Sequence, residues 1–100
     1  MTTIGLDCGT TATKALLVDD DGRVLARASR SYALAHPEPG AAELDPRLLL
    51  QAAEAVVAEV AAAAPGTVAA LGISSQGEAV AMVDAAGTCL GPIQVSSDTR

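Results

Sequence analysis

Two turn signals divide the first thirty residues into three short extended stretches, which limits the chain to a fold that begins with neighbouring β-strands. The first stretch, residues 4–7, is apolar and leads into a glycine-threonine turn. The second, residues 15–18, leads to Asp21-Gly22, a dipeptide typical of hairpin turns because glycine adopts positive φ without strain. Small apolar and polar residues then alternate over 24–29, as in a strand with one wet face. The pattern predicts a three-stranded antiparallel meander.

A helix is predicted to begin after Asp45, because aspartate is a favoured N-cap and Pro46 suits the first helical turn. A loop with two prolines and a glycine, residues 36–40, precedes it, and Pro65-Gly66 marks its end. Between these limits apolar residues recur at helical spacing, as on a helix with one buried face. The predicted buried stripe consists of Leu48, Leu49, Ala52, Ala53, Val56, Val57, Val60 and Ala61.

The last third of the sequence predicts further strands. Val68 to Ser74 is a short apolar run, and its brevity and flanking turn residues favour a buried strand. Val80 to Val83 is another strand candidate, residues 85–88 form a predicted turn, and Ile93 to Val95 begins a last extended piece. The order β-β-β-α-β predicts an α/β domain with a mixed sheet.

Composition and charge narrow the classes of function. The chain has 100 residues, half of them hydrophobic, with one Tyr and no Phe or Trp, so we expect one small domain whose core is built from small side chains. The net charge of -6 and the scattering of six Lys and Arg argue against a nucleic-acid partner. Charged residues near the start and the lack of a long apolar run argue against a secretory signal or a membrane span. We therefore expect a cytoplasmic protein, with Cys8 and Cys89 as reduced structural thiols.

The turn between the first two predicted strands has the residue types of a phosphate-binding loop. In residues 7–14, DCGTTATK, Gly9 lets the backbone approach a ligand closely, and successive amides in a tight turn form a concave anion site. The Thr10 and Thr11 hydroxyls are further candidate donors. Lys14 is a candidate cation for a phosphate oxygen, and Asp7 is a candidate magnesium ligand that acts through the water shell of the ion.

The alternative is a plain hairpin in which Lys14 is solvated and Asp7 caps the turn. The loop is neither a Walker sequence nor a dinucleotide fingerprint, because it lacks both glycine patterns and joins strand to strand. If it binds phosphate, it does so through a different architecture.

Several segments, taken in order, resemble one family. Residues 4–14 resemble the first phosphate motif of the actin-like ATPase superfamily. Residues 39–46, PGAAELDP, resemble the segment before the first helix in the FGGY family of carbohydrate kinases, and residues 71–78, LGISSQGE, resemble the strand-turn segment of that family. The stretch from Val83 to Ile93 and the ending SDTR, residues 97–100, are similar to the block that follows.

The resemblance implies an actin-like ATPase, or ribonuclease H-like, fold and phosphoryl transfer from ATP with Mg²⁺ to a hydroxyl of a sugar, ketose or polyol. By resemblance, the residues that face the phosphates and the metal are Asp7, Gly9, Thr10, Thr11 and Lys14. Gly77 and Glu78 match positions that contact the sugar in relatives. Glu78 could accept hydrogen bonds from sugar hydroxyls, or it could be an exposed turn residue. Gln76 is expected to support the turn.

Two departures leave the substrate open. Where the family often has Trp, this chain has Ser96, and Gly77 stands where a basic or polar residue is common. Pentuloses, aldonates and polyols therefore all remain candidates.

The resemblance covers residues 1–100 as the N-terminal part of the first kinase domain. The general-base Asp and the adenine-binding segments are expected beyond Arg100, so we expect the chain alone to be inactive. The alternative is a non-catalytic actin-like module that binds nucleotide or oligomerises. A partial sheet would expose an edge and apolar surface, which predicts self-association or a homodimer.

Overall fold

The computed structural model describes all residues from 1 to 100 and contains six strands and one helix. The elements are β1 (Thr2–Cys8), β2 (Ala12–Asp19), β3 (Val24–Ser31), β4 (Glu43–Leu44), α1 (Pro46–Ala62), β5 (Val68–Ser75) and β6 (Ile93–Gln94).

The main sheet has the strand order β3-β2-β1-β5. Its first three strands are antiparallel neighbours, so the predicted meander is confirmed. β5 returns after the helix and pairs with β1 in parallel, which makes the sheet mixed, as predicted. Consequently β1 lies inside the sheet between β2 and β5, and the carboxyl ends of β1 and β5 meet at the same edge.

The predicted turns and the helix N-cap form as local chemistry requires. Gly22 has a φ of +81°, and one carboxylate oxygen of Asp19 accepts the Asp21 and Arg23 amides at 2.9 Å each. At the start of α1, the Asp45 carboxylate accepts the Arg47 amide at 2.9 Å. This bond satisfies one of the amides that a helix N-terminus leaves without a partner.

The helix covers one face of the three-stranded part of the sheet. Val56 and Val60 are fully buried against β1, β2 and β3, and Ala52 lies buried one turn earlier. The prediction that Leu48 belongs to the buried stripe is wrong, because it lies 41% exposed in the first helical turn, before the first residue that reaches the core. The main core consists of Ile4, Leu6, Ala15, Leu17, Ala28, Val56 and Val60.

A second, smaller core joins the segment before α1 to the end of the chain. Leu44 of β4 pairs with Ile93 of β6, and with Ala42 and Val95 they form a buried cluster. The sequence predicted the extended piece at β6 but not β4. The strand predicted over residues 80–83 is wrong, because Val80 and Val83 form only isolated bridges to two different partners.

β5 differs from its prediction. It is a strand, but every residue from Ala69 to Ser75 is exposed, so the prediction of a buried strand is wrong. The reason lies in the packing: α1 lies on β1, β2 and β3, and no fifth strand pairs with the outer edge of β5. The edge carries no charged residue, and Leu71 and Ile73 are 47% and 66% exposed.

Two further expectations concern the cysteines and membranes. Both thiols are free; Cys8 packs against the main core, whereas Cys89 is exposed, so a structural role is not supported for Cys89. The one helix falls short of the length and apolarity needed to cross a bilayer.

An uncharged, unpaired edge strand offers free backbone groups to a second strand. We predict that the chain self-associates as its concentration rises and that Ile73→Lys weakens this association about tenfold or more, because the edge gains a charge. Sedimentation velocity over a concentration series measures it.

Leu90→Lys is the matched control, because Leu90 is also 66% exposed but lies outside the main sheet. A chain that sediments as a monomer throughout, or equal weakening by both variants, contradicts the prediction.

Candidate functional site

The parallel pairing of β1 and β5 places two sequence motifs side by side. Cys8 and Ser75 are register partners at the carboxyl ends of these strands, and the Gln76 amide donates to the Cys8 carbonyl at 3.0 Å. The turn after β1 and the segment after β5 therefore begin at adjacent points. Ligands of open α/β sheets commonly bind outside the carboxyl ends of parallel strands.

The turn after β1 is tight and requires glycine at its first position. The Gly9 amide donates to the Ala12 carbonyl at 2.9 Å, and a Cβ on residue 9 would lie 2.8 Å from that same oxygen. The Thr10 and Thr11 amides between them donate to no acceptor within the chain. Two neighbouring N–H groups thus remain available to an external acceptor such as an anion.

The Gly9 carbonyl is held from two sides. The Tyr32 hydroxyl donates to it, and the Gln76 side-chain amide donates to it at 3.3 Å. The Tyr32 oxygen also lies 2.9 Å from the hydroxyl oxygen of fully buried Thr13. Burial, above all, raises the pKa of the Tyr32 hydroxyl, which keeps it protonated and able to donate. Gln76 was expected to support the turn of its own segment, and its side chain instead contacts the turn after β1. The sequence analysis missed Tyr32, the sole aromatic residue.

The two threonines of the turn differ in their hydroxyl contacts. Thr10 donates its hydroxyl hydrogen to the side-chain amide oxygen Oε1 of Gln76 at 3.0 Å, so that hydrogen already has an acceptor. Thr11 is exposed, and its carbonyl accepts the Tyr32 amide at 3.0 Å. In this arrangement Thr10 offers a ligand its backbone N–H rather than its hydroxyl hydrogen.

Asp7 and Lys14 lie side by side on the sheet face opposite α1. They are register partners in β1 and β2, and Ser74 of β5 donates its hydroxyl to one Asp7 carboxylate oxygen at 2.9 Å. The Lys14 ammonium has no ion pair or hydrogen bond within the chain, although Asp7 is its neighbour. This face forms an open groove of about 650 Å³. Its lining residues are Gly5, Leu6, Asp7, Lys14, Leu16, Arg27, Gly72, Ile73 and Ser74.

Arg27 is a second cation in this groove that the sequence analysis did not single out. It is the register partner of Leu16, and its guanidinium has no carboxylate partner. The alternation of β3 could have indicated it, since Ala28 next to it faces the core.

The chain groups no three carboxylate, imidazole or thiolate side chains as a metal site. Asp7 is a single exposed carboxylate with one oxygen not hydrogen-bonded within the chain. That suits an ion held through its water shell, as Mg²⁺ often is, and not a fully protein-ligated ion.

Gly77 and Glu78 follow Gln76 directly, so the structure brings both predicted sites to one edge of the sheet. A Cβ on Gly77 would meet nothing within 4 Å, so packing within the chain does not require glycine at this position. Glu78 has a φ of +55°, a conformation that residues other than glycine rarely adopt. Its side chain borders a cleft of about 270 Å³ shared with the end of the chain.

The end of the chain is tied to the segment before α1 by charge and backbone contacts. Asp98 accepts the Ala42 amide at 3.1 Å and the Arg100 guanidinium at 2.7 Å, and Arg100 also donates to Glu43 at 2.7 Å. The Arg100 side chain is the main cause that lowers the pKa of Asp98 to about 2. The Thr99 amide donates to the carbonyl of Gly40 at 2.7 Å. Segments 39–46 and 97–100, which both resemble family motifs in the sequence, are thus held together by these contacts.

Comparisons with known proteins agree with this arrangement. Residues 2–100 match the model of the N-terminal domain of the FGGY family of carbohydrate kinases. A glycerol kinase of Gloeobacter violaceus is 42% identical over 98 residues, which is 97% of this chain and 20% of that protein.

Solved structures match over the same extent. A xylulose kinase from Rhodospirillum rubrum superimposes with a TM-score of 0.93 at 38% identity, over 100% of this chain and 21% of that one. A gluconate kinase from Lactobacillus acidophilus superimposes with a TM-score of 0.89 at 29% identity, over 98% of this chain and 20% of that one. The chain therefore spans about a fifth of the length of the proteins it matches. The predicted actin-like ATPase fold, present in part, is confirmed.

The contact between position 9 and the Ala12 carbonyl generates a stability prediction. Gly9→Ala should lower the free energy of unfolding by about 1–3 kcal/mol, because the new methyl group forces backbone atoms apart in a tight turn. Denaturant unfolding measures the change.

Gly5→Ala is the control, since a Cβ there meets nothing within 4 Å and alanine is the better strand residue. Equal stability of the two variants would show that the turn does not need glycine.

Proposed function

The chain belongs to the FGGY family of carbohydrate kinases, and we propose that it is the phosphate-holding N-terminal part of an enzyme that transfers a phosphoryl group from ATP to a hydroxyl of a sugar, ketose or polyol. The observation that carries the proposal is the pair of unpartnered amides at Thr10 and Thr11 beside the unpaired ammonium of Lys14. Together they offer two neighbouring N–H donors and a positive charge, which are the groups that hold a polyphosphate tail.

The glycine turn supplies the close approach, and its neighbours supply the charge. Gly9 has no side chain between the turn and a bound phosphate, and the contacts of its carbonyl with Tyr32 and Gln76 hold the turn in place before ligand binds. Such preorganisation lowers the cost of binding. Lys14 neutralises phosphate charge in this proposal, with Arg27 available further along the groove.

Asp7 is proposed to hold Mg²⁺ through water. Its free carboxylate oxygen and its position next to Lys14 support this role, because the metal would then lie beside the phosphates that it neutralises. Ser74 orients the carboxylate through its hydrogen bond.

Gly77 and Glu78 are proposed to meet the acceptor. They follow the strand that pairs with β1, so an acceptor at Glu78 lies on the same edge of the sheet as the phosphate turn. The absent side chain of Gly77 leaves room there, and the Glu78 carboxylate can accept hydrogen bonds from sugar hydroxyls.

The proposed partners are small molecules, not nucleic acid or a membrane. ATP as phosphoryl donor is consistent with activity in the cytoplasm. The 100-residue chain is proposed to form part of the first kinase domain and to need further segments for catalysis, because holding phosphates does not by itself deprotonate and align a hydroxyl.

A chimera tests the proposal. Residues 1–100 replace the matching N-terminal fifth of the Rhodospirillum rubrum xylulose kinase. We expect the chimera, and not the 100-residue chain alone, to phosphorylate xylulose with ATP. Asp7→Ala and Lys14→Ala should each lower its kcat about 100-fold or more, because Lys14→Ala removes a positive charge proposed to neutralise the phosphates and Asp7→Ala removes the carboxylate proposed to hold Mg²⁺.

The matched controls are Asp21→Ala and Arg23→Ala, which change the same charges in the exposed turn at the far end of β2. A second measurement follows the Thr10 and Thr11 amide resonances of the chain itself during titration with tripolyphosphate and Mg²⁺. They should shift in the native chain and much less in Lys14→Ala. Unshifted amides, or Asp7 and Lys14 variants as active as their controls, contradict the proposed phosphate and metal roles, whereas an inactive chimera favours the non-catalytic module.

A further inference from the structure

The cleft beside Glu78 has a charge pattern that bears on which acceptor it can take. It lies between Glu78 and the end of the chain, where Gln94, Ser96, Asp98 and Arg100 line it with mainly polar groups. It shares no residue with the groove that contains Asp7 and Lys14. The two sites can therefore select ligands of different charge.

The sole cation of the cleft is already occupied. The Arg100 guanidinium donates to both oxygens of Asp98, at 2.7 Å from Nη2 and 3.1 and 3.2 Å from Nε, and to Glu43 at 2.7 Å. A third carboxylate, that of Glu38, lies 3.6 Å from Nη1. Nη1 makes no hydrogen bond within the chain, but the three carboxylates outweigh the single positive charge of the guanidinium, so little net attraction remains for a carboxylate on a ligand.

The surrounding charge is negative. One guanidinium stands against Asp98, Glu43 and Glu38, and Glu78 adds a fourth carboxylate across the cleft. The Asp98 side chain is 8% exposed and that of Glu43 is 16%, so solvent screens them less than it screens open surface charges. Carboxylates accept hydrogen bonds from hydroxyl groups and repel other carboxylates.

Ser96 extends the polar lining. In the cleft it provides a small hydroxyl where a large aromatic side chain would cover the wall with apolar surface. Together with Gln94 it provides donors and acceptors without charge. The cleft thus offers hydrogen bonds to several hydroxyls and no free positive charge.

We propose that the cleft formed by Glu78, Gln94, Ser96, Asp98 and Arg100 selects an uncharged polyhydroxy acceptor, a polyol or ketose, and rejects acceptors that carry a carboxylate, such as aldonates. The inference rests on the proposed function, since it takes Glu78 as the place where the acceptor binds. It adds the charge class of the substrate, which the sequence left open.

Amide NMR of the chain at constant ionic strength tests the proposal. D-xylulose and xylitol are the neutral probes, and D-gluconate is the charged one. We expect the neutral compounds to shift the resonances of Glu78, Gln94 and Ser96, and gluconate to bind at least about tenfold more weakly. Equal or tighter binding of gluconate overturns the proposal, and so does the absence of shifts at these residues with both neutral compounds.

A variant separates local charge from overall charge. Glu78→Gln should reduce the ratio of the xylitol affinity to the gluconate affinity at least about threefold, because it removes the carboxylate across from Arg100. Glu54→Gln removes the same charge from the exposed side of α1 and should leave the ratio unchanged. Equal effects of the two variants would place the selectivity in net charge and refute the role of the cleft.

The proposed function can fail separately. Tripolyphosphate reports on the Thr10 and Thr11 amides, whereas the acceptor probes report on Glu78, Gln94 and Ser96. If tripolyphosphate leaves the Thr10 and Thr11 amides unshifted but the cleft binds the neutral compounds more tightly than gluconate, only the proposed phosphate role is contradicted. If tripolyphosphate shifts the Thr10 and Thr11 amides but gluconate binds more tightly than the neutral compounds, only the proposed charge class of the acceptor is contradicted.

Discussion

The position of β1 between β2 and β5 is the constraint on which the candidate site depends. Its antiparallel pairing with β2 sets Asp7 beside Lys14, and its parallel pairing with β5 sets Asp7 beside Ser74. Because β5 runs parallel to β1, the segments that follow both strands leave the sheet at the same edge. A register slip of one residue would turn the Asp7 side chain toward α1 and the buried Leu6 side chain toward the opposite face, so burial of Ile4 and Leu6 also fixes the site.

The Gly9 carbonyl is the point where three distant parts of the chain meet. Tyr32 reaches it from the end of the meander, and Gln76 reaches it from the end of β5. Each hydrogen bond contributes only about 0.5–1.5 kcal/mol net, but together they fix a turn that would otherwise be free to move. These contacts use a carbonyl and side chains, and they leave the Thr10 and Thr11 amides without acceptors. The groups that hold the turn are thus different from the groups that it can offer to a ligand.

Local chemistry could be predicted from the sequence, whereas exposure could not. The Asp45 cap and the Asp21-Gly22 turn follow from the conformational preferences of single residues, and both form as expected. The exposure of β5 could not be predicted from the sequence, because an apolar strand has the same composition whether or not another layer covers it. β4 escaped prediction because two residues carry no detectable alternation. Tyr32 escaped because its role depends on a fold contact with Gly9, 23 positions earlier in the chain.

The unpaired cations of the open sheet face lie apart from the carboxylates clustered at the end of the chain. Lys14 and Arg27 lie in the groove on the open sheet face without carboxylate partners, whereas Arg100 is enclosed by three carboxylates at the end of the chain. With a net charge of -6, the average surface repels polyphosphate, so local positive charge is needed where an anion is to bind. A neutral acceptor makes no such demand and instead needs hydrogen-bond acceptors for its hydroxyls. Because Lys14 lines a groove that shares no residue with the cleft beside Glu78, one small domain can present two proposed sites of opposite charge.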